Sequence, residues 1–377
     1  MNIPTYKEEP FEWYKKMRKE NPVYKEGNVI YLFKSRDIMD VLSDYKTYSS
    51  QFRNLLGVET AQELNNMVSP SILISDPPAH TNLRNLVSSA FSPNTIMSYG
   101  DKIREITVSL INNLGNKKSF DLVSSLSSPL PLSVIADILG IPIKDKDLFK
   151  KWSDRLATSL GRGPDMQTQM EMSGYFGRMI DNNYSNNLIK KLTDVVIDDK
   201  KLTKPEIASF AILLLVAGNE TTTNLLTNTM LILSKRPEIY ERIKNDNKFI
   251  DSVIEEALRY ASPVQSTRRY AKKDTHINGI GVNKNDFIQL YLGSANRDED
   301  LYENPEEFNP DRKNKRHMAF GNGIHFCLGA PLARLESRIF LEEFSGAVDG
   351  FGVIDPAPDD KIDSDIMYGY NKLIIKI

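Results

Sequence analysis

A mainly α-helical fold with small β-sheets is predicted by three features of this 377-residue chain. Amphipathic helical patterns recur along it, one apolar segment is long enough for a helix of about 30 residues, and strand-like stretches are few and short. In chain order, "PFEWYKKMRKE", "SRDIMDVLSDY", "YGDKIREITVSLINNLG", "KDLFKKWSDRLATSL" and "RPEIYERIKNDNKFIDSVIEEALRYA" place apolar residues three and four apart. The strand-like pieces are "NVIYLF", "RRYAKK", "THING", "DFIQLYLGS" and "KLIIKI". No repeat, low-complexity tract or long linker divides the chain, so residues 1–377 are expected to form a single domain.

The long segment starts at Thr203, three residues before Glu206, which fits a capping box; Pro205 sits in the permissive first turn and Pro237 marks the stop. A helix of about 30 residues spans on the order of 45 Å. From Phe210 to Ala217 it is apolar on every side, so it is expected to run through the interior. Gly218-Asn219-Glu220-Thr221-Thr222-Thr223 then gathers poor helix formers around a carboxylate. Two readings stand: a break between helices, or a continuous helix in which the Thr221 hydroxyl bonds the Ala217 carbonyl one turn back and opens a polar notch. An acid and an alcohol in such a notch suit proton delivery.

Charge and hydropathy exclude several classes. The 48 Lys+Arg against 50 Asp+Glu give a net charge of −2, so nothing favours nucleic acid as a partner. The N-terminal twenty residues are charged throughout and lack the apolar core of a leader. The longest apolar run, "FAILLLVAG", is about half the roughly 20 residues of a membrane span, so a cytoplasmic, unanchored protein is expected. One cysteine, Cys327, forms no internal disulfide.

Cys327 lies behind Gly321 and Gly323 and just before a helical stripe of Leu332, Leu335, Ile339 and Phe340, with Pro331 tolerable only in the first turn. A sulfur there faces unpaired N–H groups and the positive end of the helix dipole, which favour thiolate. Gly321, Gly323 and Gly329 let the backbone curl around it and let something flat approach. A solitary cysteine is more often an inert core residue. Zinc and iron–sulfur sites need more ligands than His325 can add, and no base constellation marks a nucleophile. Haem needs one protein ligand, and that fits.

"FGNGIHFCLG" (320–329) resembles the haem-binding signature of the cytochrome P-450 family, the haem-thiolate monooxygenases. "AGNETT" resembles the oxygen-activation motif of its long central helix, "EALR" its E-x-x-R motif and "FNPDR" the segment whose arginine joins that pair; with "DPPAHTNLR" and "ANRDED" the resemblance spans roughly residues 70–341. The wording is most similar to short soluble thermophilic archaeal members. The resemblance implies the P-450 fold, with heme b held between the long central helix and the helix after the Cys loop, and O2 as co-substrate. It implies Cys327 as the iron ligand, with Phe320 and Gly329 also at the haem, and His80, Arg84, Arg269 and His325 on its propionates. Arg269 is chosen over Arg268 for its place before "YA". Glu256, Arg259 and Arg312 are implied to form a buried structural charge cluster, where spacing alone would read a surface pair.

Glu220 and Thr221 match the acid–alcohol pair, which implies insertion of one oxygen atom into a small apolar substrate. Leu213, Leu214, Ala217, Thr222, Val264 and Ile366 are the expected pocket walls, and residues 159–178 the expected lid. No flavin or nicotinamide domain fits, so electrons are expected from a separate donor such as a ferredoxin, docked at the basic "DRKNKRH". The rivals are a peroxide-driven peroxygenase or peroxidase and a non-catalytic haem-thiolate sensor; neither gains from the Glu220–Thr221 pair.

Overall fold

The structure, a computed structural model, describes residues 9–51, 71–159, 165–182, 188–196 and 200–377. Its helices are α1 (Phe11–Glu20), α2 (Ser35–Ser43), α3 (Ala79–Ser88), α4 (Pro93–Met97), α5 (Gly100–Asn112), α6 (Pro129–Leu139), α7 (Lys146–Ser159), α8 (Met166–Asp181), α9 (Leu188–Asp194), α10 (Lys204–Ser234), α11 (Pro237–Asn245), α12 (Phe249–Tyr260), α13 (Leu292–Ala295) and α14 (Ala330–Ala347). The strands are β1 (Val23–Glu26), β2 (Val29–Leu32), β3 (Tyr48–Ser49), β4 (Ser119–Asp121), β5 (Thr267–Ala271), β6 (Thr275–Ile277), β7 (Ile280–Val282), β8 (Phe287–Leu290), β9 (Gly352–Val353) and β10 (Ile374–Lys376).

The five-stranded sheet runs β1-β2-β8-β5-β3, with β2 and β8 parallel and the other pairs antiparallel. Strands β4-β10-β9 form a second sheet, and β6-β7 a hairpin. The hairpin turn is Asn278-Gly279, both at positive φ, the backbone that a two-residue turn demands and that Asn-Gly supplies most readily.

Helix α10 is unbroken for 31 residues, which decides between the two readings of its glycine–threonine cluster. The capping box is present, with the Thr203 side chain on the Glu206 N–H and the Glu206 side chain on the Thr203 N–H. Helices α6, α8, α12 and α14 pack around it, and the main apolar core includes Ile135, Phe176, Leu215, Leu226, Val253 and Phe340. A second core lies between the large sheet and α2, with Ile30, Ile38 and Leu290; a third is aromatic, with Phe33 stacked on Tyr291 at 4.8 Å.

One continuous helical pattern needs correction. The pattern from Arg236 to Ala261 is two helices, because Asn245, Asp246 and Asn247 favour turn over helix and the Asp246 carboxylate accepts the Lys248 N–H at 3.0 Å. The stretch expected as a lid is largely helix α8, capped by Asp165 on Thr168 and anchored by buried Met172, Phe176 and Met179; residues 160–164 lie outside the described residues, and a helical segment is compatible with that expectation.

Helix α14 carries Glu336 into the interior, where Oε2 has no hydrogen-bond partner and burial pushes the carboxyl up to about 8. The folded chain therefore holds this proton more tightly than the unfolded chain, whose carboxyl titrates near 4.5. Stability from this group is present below that value and is lost as pH rises through about 8. Glu336→Gln is expected to flatten the decline; urea midpoints measured from about pH 5 to about pH 9 check it, and parallel profiles would contradict it.

Candidate functional site

The Cys loop is shaped by its glycines. Gly321 and Gly323 have φ of 70° and 72°, and a Cβ on Gly323 would lie 2.4 Å from the Leu42 carbonyl oxygen, so the loop seats directly on the end of α2. Cys327 donates its N–H to the Phe320 carbonyl at 2.9 Å, closing the loop. Its residue is exposed, yet burial within surrounding protein pushes its thiol up, opposed by the Gly329 and Ala330 N–H groups at the start of α14 and by Arg84 and Arg334. Arg334 lies 4.6 Å above the Phe320 ring and pairs with Glu255 at 2.6 Å.

A cluster of cationic and imidazole groups gathers beside this loop from three distant segments. His80 and His325 have ring centroids 4.4 Å apart, and Arg84 donates to the Ile324 carbonyl at 3.1 Å. Arg269 is buried and pushed down to about 10 by burial, with Asp76 acting the other way. Arg268, next along strand β5, is exposed and bonds Gln289, as strand alternation requires. His325 is pushed down to about 3 by burial, then by Arg269 and His80, and its Nε2 meets the Ser50 hydroxyl at 2.9 Å. Asp76 is the carboxylate that faces the cluster, and Ser49, Ser50 and Lys272 already engage it. His80 is buried with Nε2 lacking a partner.

On α10 the Thr221 hydroxyl donates to the Ala217 carbonyl at 2.6 Å. Ala217 is exposed between buried Leu215 and Asn219, so this face of the helix borders open space. Glu220 and Thr221 are half-buried beside it. Leu213, two turns back on that face near Leu83 and Val87, and Leu214 are partly buried. Val264 and Ile366, a hundred residues apart in sequence, are brought together by the Val264–Met367 bridge and the Gln265 N–H on the Ile366 carbonyl. Thr222 is the exception: it is buried and lies roughly 140° around the helix from Ala217, so it lines no part of that open face.

The family profile described as Cytochrome P450 matches residues 147–344, more than half of the chain. "Cytochrome P450 119" of Sulfolobus acidocaldarius is 36% identical over 97% of this chain and 99% of its own. The chain belongs to the cytochrome P450 family. Among solved structures, CYP109E1 from Bacillus megaterium in complex with testosterone is 37% identical with a TM-score of 0.88, covering 98% of this chain and 99% of that one. P450BioI in complex with an acyl carrier protein ligated to hexadec-9Z-enoic acid is 29% identical, with a TM-score of 0.91 over 99% of this chain and 98% of that one. Members of the P450 family are haem-iron monooxygenases, and this chain is an oxidoreductase of that type. No helix of the described residues is long and apolar enough to cross a membrane.

The residues present fit a P450 haem. Two imidazoles and two guanidiniums with one committed carboxylate call for an added dianion, and the unpartnered His80 Nε2 can donate to one of its oxygens. The glycine loop and helix start supply N–H groups to a thiolate. Sequence reasoning missed Asp76, Ser50 and Arg334; Asp76 stood inside a quoted motif, but nothing in the sequence pairs Ser50 with His325, 275 positions away.

Glu256, Arg259 and Arg312 meet in the interior. Glu256 and Arg259 form a two-pronged pair at 2.7 and 2.8 Å, and Arg312 reaches the same carboxylate at 3.4 Å. Arg259→Met leaves Glu256 undercompensated and is expected to cost about 3–5 kcal/mol in urea unfolding. The double variant Glu256→Gln/Arg259→Met should recover part of that loss; a single-variant cost under about 1 kcal/mol would contradict a buried functional pair.

Proposed function

We propose that this P450 inserts one atom of O2 into an apolar organic substrate, by hydroxylation or epoxidation, as one domain in the cytoplasm. The cofactor is heme b: Cys327 ligates its iron, His80, Arg84, Arg269 and His325 take its propionates, and Phe320 and Gly329 flank it. When bound, it supplies the oxygen chemistry, which consumes two electrons and two protons and releases the second oxygen atom as water. The protein's own work is to bind, orient and meter protons.

The observation that carries this reading is the Thr221 hydroxyl on the Ala217 carbonyl, beside Glu220, directly after an apolar run in an unbroken helix. Thr221 offers a hydroxyl to the reacting oxygen, and Glu220 passes protons toward it from solvent. Leu213, Leu214, Ala217, Val264 and Ile366 provide apolar walls that position the substrate and exclude water. Electrons come from a separate protein, a ferredoxin in our reading, which meets the exposed Lys313, Lys315 and Arg316 just ahead of the Cys loop. The testosterone bound by CYP109E1 supports an apolar substrate of modest size here.

Thr221→Ala is expected to keep substrate-dependent electron consumption while diverting electrons from hydroxylated product to hydrogen peroxide. The ratio of product to peroxide per electron pair checks it. Unchanged coupling removes the threonine from the mechanism, and turnover that needs peroxide and no reductant favours a peroxygenase.

A further inference from the structure

Glu255, the neighbour of Glu256 on α12, is engaged away from the buried charge cluster. Its carboxylate accepts from Arg334 Nε at 2.6 Å and Nη2 at 2.8 Å, and from His317 Nε2 at 3.1 Å. The His317 ring is fixed in one form: Nδ1 accepts the Ala319 N–H at 3.2 Å, so the ring proton sits on Nε2 and is donated to Glu255. Burial pushes the Glu255 carboxyl up, but the bonds from Arg334 and His317 outweigh it and bring the group down to about 2. At neutral pH, Glu255 is therefore an anion gripping a cation in a two-pronged pair.

These three residues close on the Cys loop. The Arg334 guanidinium lies 4.6 Å from the centre of the Phe320 ring, and the His317 ring lies 5.7 Å from it. Phe320 in turn holds the Cys327 N–H on its carbonyl at 2.9 Å. Arg334 and Cys327 act on one another through charge: the cation favours the thiolate, and the thiolate favours the cation. Arg84 also acts on the sulfur, but in the reading above a haem propionate takes up its charge. Arg334 answers to protein groups alone.

We propose that Arg334, aimed by Glu255 and His317, sets the midpoint potential of the haem through the Cys327 sulfur. A cation beside the thiolate draws electron density from it and favours the ferrous state, which carries one more negative charge, over the ferric one. The carboxylate behind the cation tempers this effect and fixes where the charge stands. The step governed is the uptake of one electron from the separate donor: the iron goes from ferric to ferrous, the donor is oxidised by one electron, and no bond forms or breaks. The cluster adjoins the basic patch assigned above to that donor, since Lys315 Nζ donates to the Ser252 hydroxyl, three residues before Glu255 on α12. Arg334, Glu255 and His317 are positioning residues, and the proposal rests on the reading of Cys327 as the haem ligand.

Sign separates an electrostatic role from a scaffolding one. In redox titrations of the haem-loaded protein followed by absorption, Arg334→Gln should shift the midpoint potential negative, and Arg334→Lys, which keeps the charge, should recover most of the parent value. Glu255→Gln keeps the shape of the side chain and removes the opposing charge, so it should shift the potential positive. The C–O stretching frequency of the reduced, carbon monoxide-bound protein should follow, lower in Arg334→Gln and higher in Glu255→Gln, because a stronger thiolate donor weakens the C–O bond. Arg338→Gln is the control: Arg338 bridges α14 to Asp251 on α12 at 3.3 Å, one turn further from Cys327, and its loss should leave both readings at the parent value.

Shifts of the same sign in Arg334→Gln and Glu255→Gln, or no shift in either, overturn the proposal, as does a shift in Arg338→Gln as large as that in Arg334→Gln. If Arg334→Gln does not retain haem, the positive shift in Glu255→Gln is still required, and its absence overturns the proposal. A thiolate-type carbonyl spectrum in the parent protein makes any of these failures the failure of this inference alone. A parent spectrum like that of histidine-ligated haem removes Cys327 as ligand and takes this inference with it.

Discussion

The placement of the Cys loop depends on one buried carboxylate. Glu256 sits in the interior, and a lone ionised acid there would be prohibitively expensive. Arg259 and Arg312 neutralise it, and the Asn309 N–H donates to it at 2.8 Å. Arg259 spends its remaining donors on the carbonyls of Asn296, Pro305 and Glu307, and Arg312 on those of Glu303, Asn304 and Glu307. An irregular stretch with little regular secondary structure is thereby fastened to α12. Asn296 transmits the order onward, accepting the Met318 N–H at 2.6 Å, and Met318 in turn accepts the Gly321 N–H at the start of the Cys loop. Such a cluster adds little net stability over an apolar equivalent; its value is that the carbonyls are met in one arrangement only.

The two faces of the site have opposite electrostatics. On the Cys side, cations outnumber their carboxylate partner, and desolvation makes each unneutralised charge costly, so the site is built for a ligand that brings anions. Around α10 the buried polar groups are amides and hydroxyls, with Glu220 the half-buried acid among them, and threonines return their hydroxyls to the helix: Thr221 to Ala217, Thr227 to Thr223 and Thr229 to Leu225. This back-bonding satisfies hydroxyls inside an apolar core without breaking the helix. The helix therefore survives its poor helix formers, because packing on α6, α8, α12 and α14 outweighs their intrinsic preference.

The sequence made the helices legible where a period of 3.6 residues ran long, as in α1, α2 and α5, and made α10 legible from its capping box and continuous apolar run. Short strands such as β3, β4 and β9 were not legible, since two or three residues carry no alternation and their pairing is set by partners far along the chain. The cysteine's environment was readable because its causes are local: glycines before it and a helix after it. Ser50 on His325 and the Glu256–Arg312 contact are long-range and leave no local pattern. The misplaced Thr222 has a plain origin, the reading of composition where the angle around a helix decides which way a side chain faces.

The central claim is that Cys327, as thiolate, holds the haem iron. Its most direct test is the absorption spectrum of the dithionite-reduced protein with carbon monoxide, recorded beside Cys327→Ser. The account predicts a strongly red-shifted Soret band in the parent protein and its loss in the variant. A carbonyl band like that of histidine-ligated haem, or no haem in the parent protein, would contradict it.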